Sequence, residues 1–441
     1  MSGLVSAPGL RTASRCCKCK SPALRLCQRR LRPIPKEIKT RQYSRRYTQD
    51  KPFEGSRNLT DLAQRMSRLN PKESPPLACV HIVKCADIEC TAICKIVAAL
   101  AKHAGSFGYE ISVLFLGGGP LLEMMRSAGV QASIVPWTGE RGDFAGAWRV
   151  WSRLRQRRVQ IVHFHSGGLL ARVISRLAGA SAVVSHVHHL PPHEEKMGAT
   201  SSSLRFRGAD AVIACSQAVA DRLYHCRAEV IYAGIECVPE PVPLRLSPGP
   251  FNLGVLSRLE PRKNIGAVIE ATARLAQSGI DIQTEIAGDG DVEDVVSLRE
   301  LVARLGMNER VRFLGWQTDV RGLLATWDLL AIPSMEEGLP ISALEAMASA
   351  RPVVASRVGG LCELIVDGVT GCLVPPGDTE ALFRCIAKLT GDRQRLAQMG
   401  IAAWHRAQNE FSAQVMAQRT AALYDRLLGR KAARGPAEPA G

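Results

Sequence analysis

The chain has 441 residues, 46% hydrophobic and 22% charged, a globular composition long enough for two domains of roughly 150–200 residues each. No uninterrupted apolar stretch reaches the roughly 18 residues that a membrane-spanning helix needs, so a soluble, cytoplasmic protein is expected, at most peripheral on a membrane. The net charge is +16, but residues 1–76 carry 18 basic against 5 acidic side chains and leave the other 365 residues at +3, so the body has no charge signature of nucleic-acid binding.

Residues 1–76 form the first segment in chain order. They hold no acidic side chain before Glu37 and no apolar stretch of the secretory kind. Three readings stay open for them: an organelle transit peptide, a disordered tail drawn to anionic lipid or nucleic acid, or a leader without a specific role. Cys16 and Cys19 make a lone C-x-x-C with no second pair at zinc-finger distance, so no structural zinc is expected there. Most of the other cysteines, among 14 in all, lie in or beside apolar runs and suit a reducing compartment.

From Leu77 onward apolar runs alternate with segments of helical period. Strands are predicted at 77–83, 110–117, 133–137, 159–165, 182–187, 211–216 and 229–234, with helices between several of them, such as 90–105 and 169–179. Strands this apolar need cover on both faces, which implies a parallel sheet between helical layers. VPEPVPLRLSPGP (238–250) then places five prolines in thirteen residues and reads as a linker. Alternation resumes with strands at 251–257, 282–288, 311–315, 329–334, 352–356 and 371–375, and from Thr379 the chain is helical.

The expected fold is therefore α/β, two tandem Rossmann-like doubly wound domains facing across a cleft. The expected segments are 1–76 as basic leader, 77–240 as the first domain, 241–405 as the second, and 406–441 as a final helix and tail. Ligands of such sheets bind beyond the carboxyl ends of the strands, so the chemistry belongs in the loops that follow them.

Three such loops stand out in the second domain. GVLSRLEPRKNI (254–265) brings Arg258 and Lys263 to a strand-to-helix loop, where cations and unpaired helix N–H groups suit a diphosphate; surface loops also carry such residues without function. IAGDGDVEDVV (286–296) makes a glycine turn at Gly288. EGLPISALE (337–345) is the most informative: Pro340 opens a helix expected to run to Ala350, Glu337 precedes it, and Glu345 falls about one and a half turns inside. Gly338 and Leu339 then offer backbone donors at the positive end of the helix dipole. Phosphate beside the helix start and hydroxyl-rich rings beside the two carboxylates would suit a sugar nucleotide; one glutamate capping the helix and the other solvated is the structural alternative.

Taken in order and spacing, SRLEPRKNI, IAGDGDVEDV, VRFLGWQTDV, DLLAIPSMEEGLPISALEAMASARPVVASRVGGLCELIVDGVTGCLVPPGD and the Trp404-to-Phe411 ending resemble the family 4 retaining glycosyltransferases of GT-B fold. EGLPISALE is similar to that family's E-x7-E motif. The resemblance implies that Arg258 and Lys263 hold the donor diphosphate, Glu337 contacts the transferred sugar and Glu345 the ribose. It also implies that Gly288, Gly338 and Leu339 line the donor site, and that the last helix crosses back to the first domain.

In the first, acceptor-side domain, VQIVHFHSGG resembles the family's V-H-x-H-S segment and places His163 and His165 at a strand end. SHVHHLPP follows, and strand alternation puts His186 and His188 on one face. His188 best matches the active-site histidine of the family, which implies a role beside the reacting carbon of the sugar, steadying positive charge or orienting the acceptor hydroxyl. Zinc binding by the H-x-H and H-x-H-H runs is the sharper alternative, and ordinary structural histidines the blander one; the family pattern argues for no metal and no cofactor, with a nucleoside-diphosphate sugar as substrate.

Two positions depart from the pattern. VKCADIECT (83–91) has Cys85, Ala86 and Asp87 where the family carries a Gly-Gly pair, and Ala233 stands where members often have Asn. AWRVWSRLRQRRVQ (147–160) adds an amphipathic basic helix with two tryptophans, readable as sheet cover or as a peripheral membrane contact, which would suit a lipid-linked or other saccharide acceptor. A sugar-nucleotide epimerase of the same plan and a non-catalytic sugar-nucleotide-binding protein are the rival functions.

Overall fold

The computed structural model describes residues 75–430 apart from 140–141, 166, 192–205, 225, 243 and 245–248, all within one unit, Arg68–Gly441. The expectations for the basic leader lie outside these residues.

Every predicted strand is present. The first domain holds β1 (Leu77–Val83), β2 (Tyr109–Phe115), β3 (Gln131–Ile134), β4 (Ile161–Phe164), β5 (Ala182–Val187), β6 (Ala211–Ala214) and β7 (Ala228–Val230). The second holds β8 (Phe251–Leu256), β9 (Ile282–Ala287), β10 (Val311–Gly315), β11 (Leu329–Ile332), β12 (Val353–Ser356) and β13 (Gly371–Val374). Among the described residues they form two all-parallel sheets, ordered β3-β2-β1-β4-β5-β6-β7 and β10-β9-β8-β11-β12-β13. In each, strand order reverses beside the first strand, which opens a crevice at the carboxyl edge. One boundary differs: the expected strand 133–137 begins two residues earlier and ends at Ile134, before Pro136, which has no N–H to give a ladder.

The helices of the first domain are α1 (Thr91–Ala104), α2 (Leu121–Ser127), α3 (Phe144–Gln156), α4 (Leu169–Leu177) and α5 (Gln217–Asp221). The second domain carries α6 (Ile265–Gln277), α7 (Val292–Arg304), α8 (Val320–Thr326), α9 (Ile341–Ala348), α10 (Leu361–Leu364), α11 (Thr379–Thr390) and α12 (Arg393–Glu410). α13 (Ala413–Leu427) follows a break at Phe411–Ser412, where Ser412 caps it by accepting from Val415 N. Backbone bonds Ile235 N to Phe411 O and Ala413 N to Ile235 O, each 2.9 Å, fasten this crossing to the first domain. Ala233 is buried beside it, so backbone pairing ties the crossing at a place where the family pattern has a polar side chain.

Burial follows the sequence logic. β5 and β12 are buried at every position, as strands covered on both faces must be. One apolar cluster runs from Cys79 and Val83 on β1 through α9 to Tyr424 on α13, so the two domains and the returning helix share a core. Separate clusters fill the outer face of the second sheet, around Leu253 and Ile269, and the space under α3 and α4, around Val150, Leu154 and Ile174.

Candidate active site

The residues expected to bind the donor sit on two loops of the second domain that meet. Met335 N bonds Arg262 O at 2.8 Å, which draws the β8–α6 loop against the β11–α9 loop. Lys263 Nζ thereby reaches Glu337 Oε1 at 2.6 Å, and Ser334 Oγ donates to the same oxygen at 2.7 Å. Glu337 is 6% exposed, so its charge is held by a matched cation and a hydroxyl rather than by water. Arg258 lies exposed on the same loop and makes no ion pair among the described residues.

Glycine geometry explains this close approach. At Gly288, with φ of +137°, a Cβ would sit 1.8 Å from Ser257 O; at Gly290 it would sit 2.1 Å from Leu259 O. The Gly-Asp-Gly turn therefore serves first to let the loop bearing Arg258 and Lys263 pack against it.

The helix at EGLPISALE differs in detail from expectation. Pro340 is its N-cap, with extended ψ of 120°, and α9 starts at Ile341 and ends at Ala348, because Ala350 turns left-handed at φ of 55°. Proline's missing N–H costs nothing at either position. Leu339 is buried, and Gly338 touches the other domain: a Cβ there would lie 2.6 Å from His188 O, and Ser216 Oγ donates to Gly338 O at 2.8 Å. Glu345 does not join Glu337. It pairs with Lys95 on α1 of the first domain, a cross-cleft partner 250 residues away that spacing could not reveal.

Other bonds close the same seam. Glu363 on α10 accepts from Gln217 N at 2.7 Å, Ala218 N at 2.8 Å and Tyr232 Oη at 2.8 Å, capping α5 from across the interface. Arg222 pairs with Glu336 at 2.6 Å.

In the first domain, where the acceptor was expected, the register of three strands stacks five imidazoles. His81 on β1 is the register partner of His163 on β4, and His163 faces Val184 on β5, so His81, His163, His165, His186 and His188 all point to one face. Neighbouring rings lie 4.0–5.5 Å apart, from His186–His188 at one end of that range to His165–His186 at the other. His188 is bonded to His165 (Nε2 to Nδ1, 2.7 Å), His165 to His81 (Nε2 to Nδ1, 2.8 Å), and His163 to His186 (Nε2 to Nδ1, 3.3 Å). Tyr424 Oη closes the far end, 2.6 Å from His163 Nδ1 and 3.3 Å from His81 Nε2. His188 is half-buried and its backbone oxygen lies against Gly338 of the second domain, whereas His163 is 1% exposed; the next imidazole, His189, is the one that feels the charges of Arg262, Lys263 and Glu337.

Burial holds all five rings neutral. It pushes the His81 pKa down to about 3, and burial, followed by the neighbouring imidazoles, sets those of His163, His165, His186 and His188 well below the usual histidine range. One atom is left over: His186 Nε2 is buried without a hydrogen-bond partner, a loss of about 1–3 kcal/mol. His81 was not singled out by sequence reasoning. A polar residue inside an apolar, doubly covered strand was the available signal, since it must find a buried partner.

The altered loop after β1 packs against a neighbouring loop of its own domain. Ala86 is fully buried, with Ala86 N bonded to Gly117 O at 3.1 Å and Leu121 N to Ala86 O at 2.8 Å, so Cys85–Asp87 packs on the neighbouring 117–119 loop.

Residues 95–238 match the family model described as Glycosyltransferase Family 4, and residues 250–392 the model described as Glycosyl transferases group 1. The amylovoran biosynthesis glycosyltransferase AmsK of Erwinia amylovora is 31% identical over 216 residues, 46% of this chain and 52% of that protein. A UDP-Gal:alpha-D-GlcNAc-diphosphoundecaprenol alpha-1,3-galactosyltransferase of Escherichia coli is 23% identical over 319 residues, 65% of this chain and 81% of that protein. The first curated relatives that the chain matches are spanned over about half their length or less. Among solved structures, Anabaena Alr3699/HepE in complex with UDP-glucose superposes with a TM-score of 0.68 at 23% identity, covering 79% of this chain and 100% of that one, a likeness of fold.

Proposed function

The chain belongs to glycosyltransferase family 4, and from that premise we propose that it moves a sugar from a nucleoside-diphosphate donor to an acceptor hydroxyl with retention at the anomeric carbon and without a metal ion. The observation that carries this reading is the cluster of Lys263, Ser334 and Glu337 beside Gly338, which packs against the backbone of His188 where the two domains meet.

An ammonium has three N–H donors, and Lys263 spends one on Glu337, which leaves two for the donor phosphates. Arg258, exposed and without an ion pair among the described residues, supplies the second cation. Both charges act on the diphosphate as it departs, which is why the step calls for no metal. Glu337 takes the sugar hydroxyls, Glu345 the ribose once Lys95 yields it, and His188 stands on the acceptor side of the reacting carbon.

A lipid-linked saccharide is the acceptor class that the surface favours. On α3, Phe144 is 78% and Trp148 64% exposed; on the adjacent α4, Leu169, Leu170, Val173 and Leu177 are exposed as well. Arg149, Arg153 and Arg155 share α3, and no acidic residue lies within that helix, so the face suits an anionic membrane surface. The E. coli relative's name, with its diphosphoundecaprenol-linked substrate, points the same way. Among the described residues no helix is long and apolar enough to cross a membrane.

The test is incubation with a panel of nucleoside-diphosphate sugars and lipid-linked acceptors. Release of free nucleoside diphosphate together with an α-configured product from an α-donor is expected; isomerised sugar nucleotide with no release would establish the epimerase instead. Sedimentation with vesicles containing anionic lipid tests the surface, and the double substitution Phe144→Ser, Trp148→Ser should abolish co-sedimentation.

A further inference from the structure

Three rings at the cleft end of the histidine ladder lie stacked close together, with ring nitrogens near one another. His165, His186 and His188 each place a ring nitrogen within 4.8 Å of the other two. We propose that these three imidazoles form a zinc site on the acceptor side of the cleft, and that an ion there withdraws His188 and reversibly inhibits transfer.

The donor set is right for the metal. Imidazole nitrogens suit zinc, and three of them leave a fourth tetrahedral position for water or an acceptor hydroxyl. Zinc binds only unprotonated rings, and burial keeps all three neutral near neutral pH. The orphaned His186 Nε2 gains a partner when the site is loaded. Tetrahedral bonds of ~2.0–2.1 Å put ligand nitrogens ~3.3 Å apart, so the His165–His188 pair, now at 2.7 Å, opens by about 0.6 Å.

The surrounding shell is built as well. The far nitrogen of His165 is held by His81 at 2.8 Å and that of His186 by His163 at 3.3 Å, which fixes ring orientation from behind. His81 and His163 are in turn anchored on Tyr424 Oη. The alternative trio of His81, His163 and His165 also lies within 4.8 Å, but all three rings are buried and two already bond Tyr424. Half-buried His188 opens the other trio toward the cleft, so that is where an ion enters.

The binding half of this proposal is independent of the transfer reaction, and the inhibitory half rests on the function proposed above. The full-length chain, stripped with chelator, is titrated with zinc and separately with cobalt(II). The 14 cysteines compete for zinc, so the readout is the difference between wild type and His186→Gln, and the cobalt spectrum of the wild type. Expected are one more zinc per chain in the wild type than in the variant, and cobalt bands of nitrogen ligation without added thiolate charge transfer. His81→Gln, which removes only the outer support, should weaken binding by about 10–100-fold. Zinc should inhibit wild-type transfer, chelator restore it, and His186→Gln resist. Equal zinc binding by wild type and a folded His186→Gln overturns the site, as does a cobalt spectrum of thiolate ligation alone if the variant does not fold. Zinc bound at the histidines without effect on a measured transfer rate overturns the inhibitory role. Absence of transfer with every donor overturns the proposed function and leaves the metal result standing.

Discussion

The two sides of the cleft solve the problem of buried polar groups in opposite ways. The second-domain side pairs each full charge with an opposite one: buried Glu337 with Lys263, and partly exposed Glu345 with Lys95. The first-domain side holds five titratable rings, four buried and one half-buried, and keeps them neutral, bonding them mostly to one another. A paired charge remains an electrostatic tool, ready to face a charged ligand, whereas a neutral imidazole remains a lone pair, ready for a proton, a hydroxyl or a metal.

The sharpest way to break this contrast is to neutralise the donor pair. Glu337→Gln keeps the shape and leaves Lys263 without its counter-charge. Transfer should fall by about 10²–10³-fold in kcat, with a stability loss near the lower end of about 3–5 kcal/mol, because Lys263 retains some exposure. Steady-state kinetics and urea unfolding measure both, and near-normal kcat would remove Glu337 from the site.

Acid attacks the other half. The folded-state pKa values of the ladder lie below the unfolded value of about 6.5, so the unfolded chain binds more protons in that window. Stability is therefore flat above about pH 7 and falls as pH drops, by about 1.4 kcal/mol per pH unit for each ring that stays neutral. Unfolding in chelator from pH 7.5 to 5.5 should show a slope of several protons, and His81→Gln should reduce it by about one. A slope unchanged by His81→Gln would mean that this ring is protonated in the folded state.

The smallest expected effect sharpens the comparison at the seam. Lys95 and Glu345 are partly exposed, so the pair contributes roughly 0.2–1 kcal/mol. Lys95→Met frees the carboxylate for the donor ribose, and the donor KM should drop by up to about fivefold with kcat little changed. A rise in KM would instead make Lys95 a direct donor contact.

The sequence alone was a good guide wherever a local pattern carries the information. Thirteen strands, the proline-rich break and the acid pair around a helix start are all written in spacing along a few residues. The departures are small and local too: Pro340 sits one position earlier in its helix than expected, and the third strand stops short of Pro136.

Other features depend on residues far apart in the chain and have no local signature. Lys95 finds Glu345 across 250 positions, Tyr424 finds His163 across 261, and Glu363 caps a helix of the opposite domain. Alternation of apolar and polar residues determined which elements form and which edge of each sheet bears the loops, because backbone periodicity converts sequence spacing directly into faces. Strand register and domain contact decided which side chains share a buried site, because burial removes water as a partner and leaves each polar group to whatever tertiary neighbour the fold supplies.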